Sequence, residues 1–282
     1  MKILGVSLGT KNGNNDTMCR VALEAAKEKG AEIEFIHLLD WDIQYCSGCV
    51  ACSRGLVMGK GMICSRQDDF KAFYEKVVEA DGVLFVDPIF ESSATGLYHS
   101  ITDRMGPGHD TGMMKMLDGK LKEAGKEGLN PRYFRQKALS FVGIGGSDWA
   151  VRCETDNAMF ALSPGWKVVN NEFFSWCKDV IMQDDKVERM KEIGRNFADA
   201  AQQIIDEDMQ IECSVNDLQC SLKTTQLTYT VCCTRINVEI VTLAMWASAF
   251  FSFPERSFLG SFNLHIFIND LLCSICKVTS DF

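Results

Sequence analysis

Five short apolar runs recur between Lys2 and Phe174: KILGVSL from Lys2, AEIEFIHLL from Ala31, DGVLFVDPIF from Asp81, ALSFVGIGG from Ala138 and WKVVNNEFF from Trp166. Helical stretches separate several of them. Thr17 to Lys29 carries Met18, Val21, Leu23, Ala25 and Ala26 as its apolar positions. Asp68 to Glu79 opens with two carboxylates where a helix dipole favours them. A long segment from Asp184 closes the series, with Val187, Met190, Ile193, Phe197, Ala201 and Ile204 on one stripe. Strands alternating with helices demand crossover connections, so the expected fold is α/β with a mostly parallel, five-stranded sheet and helices on both faces.

In such sheets ligands bind beyond the carboxyl ends of the strands, where the strand order reverses. Three loops are therefore the candidate site. The first, SLGTKNGNND, joins run one to the first helix. Its small and polar residues let backbone N–H groups approach an anion, and Ser7, Thr10, Asn12, Asn14 and Asn15 are candidate phosphate contacts. It is neither a Walker loop nor G-x-G-x-x-G, and an ordinary turn has the same composition. The second, DPIFESSATG, follows run three. Pro88 ends the strand, Phe90 could cover a planar ring, and Ser92, Ser93 and Thr95 precede another helix that they could simply cap. The third, GIGGSDW, follows run four, where Gly145 and Gly146 admit a flat ligand edge and Trp149 could line it or belong to the core.

Taken in order, the three loops resemble the flavodoxin-like, NAD(P)H-dependent FMN reductase superfamily. SLGTKNGNN is similar to its phosphate loop G-S-x-R-x-x-G-N-T, PIFESSATG to its second flavin loop P-x-Y-x-x-x-x-[ST]-G, and GIGG to its third. The resemblance covers about residues 1 to 207 and implies a doubly wound sheet with FMN over strands one, three and four. By that likeness Ser7, Thr10, Asn12, Asn14, Asn15, Pro88, Ile89, Phe90, Glu91, Ser92, Thr95, Gly145 and Gly146 would contact the cofactor. Leu8, Thr10 and Asn15 depart from the pattern; Thr10 stands where the arginine would be, which removes a fixed positive charge near the phosphate or the nicotinamide nucleotide. The implied activity is electron transfer from NAD(P)H through FMN to a small acceptor such as a quinone or an aromatic compound, in a homodimer or homotetramer. No side chain is required as acid or base, and neither His99 nor His109 is paired with a nucleophile in the sequence.

Four cysteines, Cys46, Cys49, Cys52 and Cys64, crowd together after run two. The C-x2-C-x2-C run resembles the iron–sulfur flavoproteins of the same superfamily, in which four cysteines hold a [4Fe–4S] cluster near FMN. Two-residue spacing lets three thiolates converge on one cluster face. The x11 gap before Cys64 is longer than that branch uses, though Gly55, Gly59 and Gly61 let it fold back. Zinc, which favours two separated C-x2-C pairs, and metal-free thiols remain open alternatives. With a cluster, an electron carrier serving a ferredoxin-type partner becomes the rival to a turnover enzyme; a flavodoxin-like module without flavin is the third. Cys19, Cys153 and Cys177 read as small core residues.

The net charge of −9 offers no basic footprint for nucleic acid and argues against an anionic membrane. MKILGVSLG lacks the features of a signal peptide, so the 13 cysteines read as reduced, in a cytoplasmic protein. Residues 106–136, with Met113, Met114 and Met116, form an insertion that could be a lid, a subunit contact or a plain surface loop. From Ile211 onward the composition shifts, and charged residues become sparse. The longest apolar run there, Ile240 to Phe253, falls short of the roughly 20 residues that span a bilayer. Residues 1–210 thus form the expected functional domain and 211–282 an extension of unknown role.

Overall fold

A computed structural model describes residues 1–58, 64–148 and 150–214 of the chain. Trp149 and the expected extension beyond residue 214 lie outside the described residues. Strands β1 (Lys2–Ser7), β2 (Glu32–His37), β3 (Gly82–Pro88), β4 (Ala138–Ile144) and β5 (Lys167–Phe174) form one sheet, ordered β2-β1-β3-β4-β5, with every pairing parallel. This is the flavodoxin-like, doubly wound α/β arrangement with its switch point between β1 and β3. The register brings the carboxyl ends together. Ser7 lies beside His37 and Val86, Pro88 beside Ile144, and Ile144 beside Phe174.

Strand alternation decides what each face buries. On β3, Val83 and Phe85 point to one face and Leu84 and Val86 to the other. The first face is covered by α3 (Phe70–Glu79), α4 (Gly96–His109) and α6 (Val151–Phe160), through Phe70, Phe73, Tyr98, Ile101 and Phe160. Phe85 stacks on Phe141, with ring centroids 5.6 Å apart, and meets Tyr98 edge-on. The second face is covered by α1 (Asn14–Glu28) and α7 (Asp184–Ser214), through Met18, Leu23, Met190, Ile193 and Phe197. The α1–α7 contact is close: a Cβ on Gly194 would sit 2.1 Å from the Ala22 carbonyl oxygen.

Several elements differ from the sequence expectation; α3, for one, starts at Phe70 rather than Asp68. Helix α1 starts at Asn14 rather than Thr17, because its first turn, Asn-Asn-Asp, is polar and precedes the apolar stripe. Helix α6 has no counterpart in that expectation; its buried stripe is Cys153, Asn157 and Phe160, and the central asparagine hides the helical period. The insertion supplies α5 (Thr111–Glu123), whose Met114 and Leu117 pack with Leu56 of α2 (Ala51–Val57). Residues 106–136 therefore help to seat the cysteine-bearing helix. Helix α7 runs through Ser214, past the expected boundary at 210. Among the described residues no helix is long and apolar enough to cross a membrane.

Candidate functional site

The loop after β1 is organised by a residue that no motif announces. Asp16, buried in the first turn of α1, accepts from Ser7 Oγ at 2.5 Å and from the Asn12 amide at 2.7 Å, and its Oδ1 lies 3.0 Å from His37 Nδ1. Burial acts to raise its pKa, but the Ser7, Asn12 and His37 hydrogen bonds outweigh it and hold the carboxyl below its ordinary value. One carboxylate thus fastens the ends of β1 and β2 to the loop between them. Gly13 caps α1 with no side-chain acceptor, so the first-turn amides keep the free N–H groups typical of a helix start. Asn15 is buried beside Gly9, and its Nδ2 has no protein partner.

These unpaired donors fit a phosphate. A fixed cation is not added by Lys11, whose ammonium is paired with Asp40 at 2.7 Å. Thr10 and Asn12 are both exposed, at the open edge of the loop. Asn14 is otherwise engaged: its Nδ2 donates to the Cys177 carbonyl at 2.9 Å and its Oδ1 accepts from the Val180 amide at 3.3 Å.

After β3 the chain turns tightly. Phe90 and Ser93 exchange backbone hydrogen bonds, with Glu91 and Ser92 both at positive φ (49° and 63°) between them. Left-handed non-glycine residues cost energy and concentrate at functional sites. The turn leaves Phe90 66% exposed and Glu91 exposed, with Pro88, Ile89 and Ser92 half-buried. Below it, buried Asp87 accepts from the amide and hydroxyl of Thr95 at 2.9 and 2.8 Å, and Thr95 caps α4 by accepting from the Tyr98 amide. Desolvation pushes Asp87 up to about 7 despite the Thr95 hydrogen bonds. Ser93 donates to Asp156 at 2.8 Å, and His99 Nε2 lies 3.4 Å from Ser93 Oγ and 3.6 Å from Asp156.

The loop after β4 joins this group through the Ile89 amide, which donates to the Ile144 carbonyl at 3.0 Å. Gly145 is buried against Ile89 and Gly146 is exposed. A fourth loop, after β5, completes the rim. The Cys177 amide donates to the Gly145 carbonyl, while Asn14 holds Cys177 and Val180, so residues 175–180 tie the third loop to the first. Trp176 stands there at φ 57° with its side chain 65% exposed. Only the pairing of strand ends reveals that segment; an exposed aromatic in a left-handed conformation has no signature in sequence.

The cysteine segment forms a second centre. Cys46, Cys49, Cys52 and Cys64 line one small cavity of about 30 Å³ together with Arg66, Asp103 and Arg104. All four are free thiols. Cys46 and Cys49 are exposed, and a hydrogen bond with Ser65 Oγ, 3.0 Å from Cys49 Sγ, lowers the Cys49 thiol to about 7. Positive φ at Gly48 and Val50 turns the chain sharply between the first three cysteines. Among the described residues no three Cys, His, Asp or Glu side chains already stand in position around a single ion. Four soft donors facing one cavity, beside two guanidinium groups, are the chemistry an anionic thiolate cluster needs. Cys19, Cys153 and Cys177 are buried, as expected of core residues.

Comparison with known proteins bears on the family and the fold. A flavone reductase of known structure is 43% identical, covering 72% of this chain and 64% of its own, with a TM-score of 0.63. An iron–sulfur flavoprotein of Archaeoglobus fulgidus is 29% identical over 150 residues, covering 53% of this chain and 64% of the relative. A flavone synthase of Aspergillus candidus is 27% identical, covering 72% of this chain and 65% of the relative. This chain thus spans just under two thirds of the length of each. RosB, at 15% identity and a TM-score of 0.53, shares the fold. The NADPH-dependent FMN reductase family matches residues 1–179, more than half of the sequence, and the chain belongs to that family.

Proposed function

We propose that this chain is an FMN-dependent oxidoreductase that draws on NAD(P)H and reduces a planar, conjugated carbonyl compound. The observation that carries the reading is the gathering of the loops after β1, β3 and β4 at one sheet end, around the unpaired first-turn amides of α1 and the orphaned Asn15 Nδ2. FMN bound there would supply hydride exchange between the nicotinamide and the acceptor. Residues Thr10, Asn12 and Asn15 and the α1 amides would hold its phosphate, with Ser7 and Asp16 fixing the loop. Pro88, Ile89, Phe90, Glu91, Ser92, Gly145 and Gly146 would border its ring, and Asn14 and Thr95 would brace the site from behind.

The acceptor class draws support from the flavone reductase and flavone synthase likenesses, each across 72% of this chain. The net reaction would consume NAD(P)H, the acceptor and one proton, and yield NAD(P)⁺ and an acceptor saturated at the double bond beside its carbonyl. A quinone, reduced to the hydroquinone, satisfies the same balance. The exposed rings of Phe90 and Trp176 suit a flat aromatic guest. We place the activity in residues 1–210 of a cytoplasmic homo-oligomer.

The cavity shared by all four cysteines favours a second reading: Cys46, Cys49, Cys52 and Cys64 hold a [4Fe–4S] cluster, which would pass single electrons between the flavin site and a ferredoxin-type partner. The iron–sulfur flavoprotein likeness, reaching 53% of the chain, supports it. Anaerobically purified protein should show flavin absorption and oxidise NAD(P)H on addition of a flavone or a quinone. Protein that stays colourless with added FMN overturns the flavin reading. Flavin-loaded protein that oxidises NAD(P)H with neither acceptor, yet exchanges electrons with a ferredoxin, overturns the first reading in favour of the second.

A further inference from the structure

Two-residue spacing and the short helix α2 arrange the first three cysteines, whereas Cys64 follows well after them in the chain. The structure supplies an external hand. Arg104 of α4 is almost completely buried and lines the cysteine cavity. Its Nη2 donates to Cys64 Sγ at 3.1 Å and to Asp68 Oδ1 at 2.8 Å. Its Nη1 bonds Asp68 Oδ2 and donates to the Gln44 carbonyl at 3.0 Å. The guanidinium carbon lies 4.2 Å from the centre of the Phe70 ring. Asp68 also accepts the Gln44 and Phe70 amides. The guanidinium is therefore fixed in its plane by Gln44, just before the cysteine run, and Asp68, just after it. One Nη2 N–H is directed at a single sulfur, while the buried Nε–H has no partner among the described residues.

Helix α4 begins immediately after Thr95, the cap that Asp87 holds beneath the second flavin loop. From Thr95 to Arg104 the helix advances about 14 Å, at 1.5 Å per residue. One rigid element therefore connects the flavin loop with the sulfur contact.

We propose that Arg104 is the positioning residue of the cysteine centre: it fixes Cys64 as the fourth cluster ligand and raises the cluster's reduction potential. The proposal rests on the reading that the four cysteines hold a cluster. Reduction adds one electron, drawn from the reduced flavin, to a group that is already anionic. An N–H donated to a ligand sulfur stabilises the more negative state and makes that electron easier to accept. An arginine present only to neutralise Asp68 would need no third direction, whereas this one spends an N–H on sulfur.

The test compares wild type, Arg104→Lys, and the double variant Arg104→Gln/Asp68→Asn, all prepared anaerobically with FMN. Lysine keeps a charge beside Asp68 but, as a point donor, cannot span both Asp68 and Cys64. The double variant replaces the buried ion pair by neutral amides, so it does not leave a carboxylate stranded should the lysine variant fail to fold. Circular dichroism and flavin content report folding. Iron and acid-labile sulfide, the rate of iron loss to a chelator, and a redox titration followed by electron paramagnetic resonance report the cluster. In whichever variants fold, we expect iron loss faster by about 10-fold or more, the usual cost of removing an outer partner of a metal ligand, and a more negative potential. A folded, flavin-loaded variant with unchanged potential and iron retention overturns the role of Arg104 while leaving the cluster in place. Wild type with flavin but neither iron nor sulfide overturns the cluster reading itself, and the proposal with it.

Discussion

Asp87 lies at the end of β3 beneath the second loop, and its titration should be visible in the stability of the whole domain. It is 2% exposed, and its carboxyl stands near pKa 7 instead of its ordinary 3.8, chiefly through desolvation, with the Asp156 charge adding to the shift. Between those two values the folded state binds a proton that the unfolded chain has released, so stability falls as pH rises from about 4 through 7 and levels off above. At 1.36 kcal/mol per pKa unit the cost is roughly 4 kcal/mol near pH 8, about 2.5 kcal/mol of it accrued between pH 5 and pH 8. Asp87→Asn has nearly the same shape and no charge in either state. Its Oδ1 can still take the Thr95 amide, while the Thr95 hydroxyl must reorient, which gives an offset independent of pH. The informative quantity is therefore a difference of differences. Melting followed by circular dichroism should show the Tm of the variant, relative to wild type, rising by roughly 5–10 °C from pH 5 to pH 8, at about 2–4 °C per kcal/mol. A relative Tm that stays flat across that interval, or falls, refutes the assignment of a strained carboxylate to Asp87.

Gly194→Ala places a methyl 2.1 Å from the Ala22 carbonyl oxygen, a backbone atom that cannot step aside. Overpacking of about 1–3 kcal/mol should exceed the gain of up to about 1 kcal/mol in helix propensity, so chemical denaturation should find a less stable variant. Asp16→Asn weakens the ties to Ser7, Asn12 and His37; we expect a loss of about 1–3 kcal/mol near pH 7 and weaker FMN binding by fluorescence titration. Because the wild-type carboxyl is held below its ordinary pKa, that gap should narrow as pH falls below about 4. Trp176→Gly removes a strained φ of 57°, a relief of about 1 kcal/mol that the entropy of glycine offsets. Its Tm should move little while KM for an aromatic acceptor rises several-fold; an unchanged KM would exclude the indole from the acceptor site.

The strand series was legible because apolar runs separated by helices leave few topologies, and the register then had to bring Ser7, Pro88 and Ile144 to one edge. What the sequence hid is polar and non-local. Asp16 is merely the last residue of the first loop in sequence, yet its partners are Ser7 on β1 and His37 on β2, 21 positions away. Asn14 matches a phosphate-loop asparagine by position, but the β5–α7 connection, far along the chain, claims its side chain. Pattern identifies which residue types stand near an anion; it does not say which of them the fold has already engaged.

The same distinction governs the two centres. Loop composition suggests five side chains for a phosphate, whereas the geometry has already engaged those of Ser7 and Asn14 and leaves Thr10, Asn12, Asn15 Nδ2 and the backbone amides of α1 as donors. Under the proposed reading, recognition by amides would tolerate change in the loop side chains, including Thr10 where the family pattern has arginine. At the cysteines the balance is reversed. Thiolates must be present in number, so the motif is plain in sequence, while the groups that orient and compensate them come from elsewhere in the chain. Arg104 lies 40 positions from Cys64, and only folding α4 against the first sheet face brings the two together. A centre built from backbone is faint in sequence and firm in structure; one built from side chains is conspicuous in sequence and depends for its tuning on residues no motif contains.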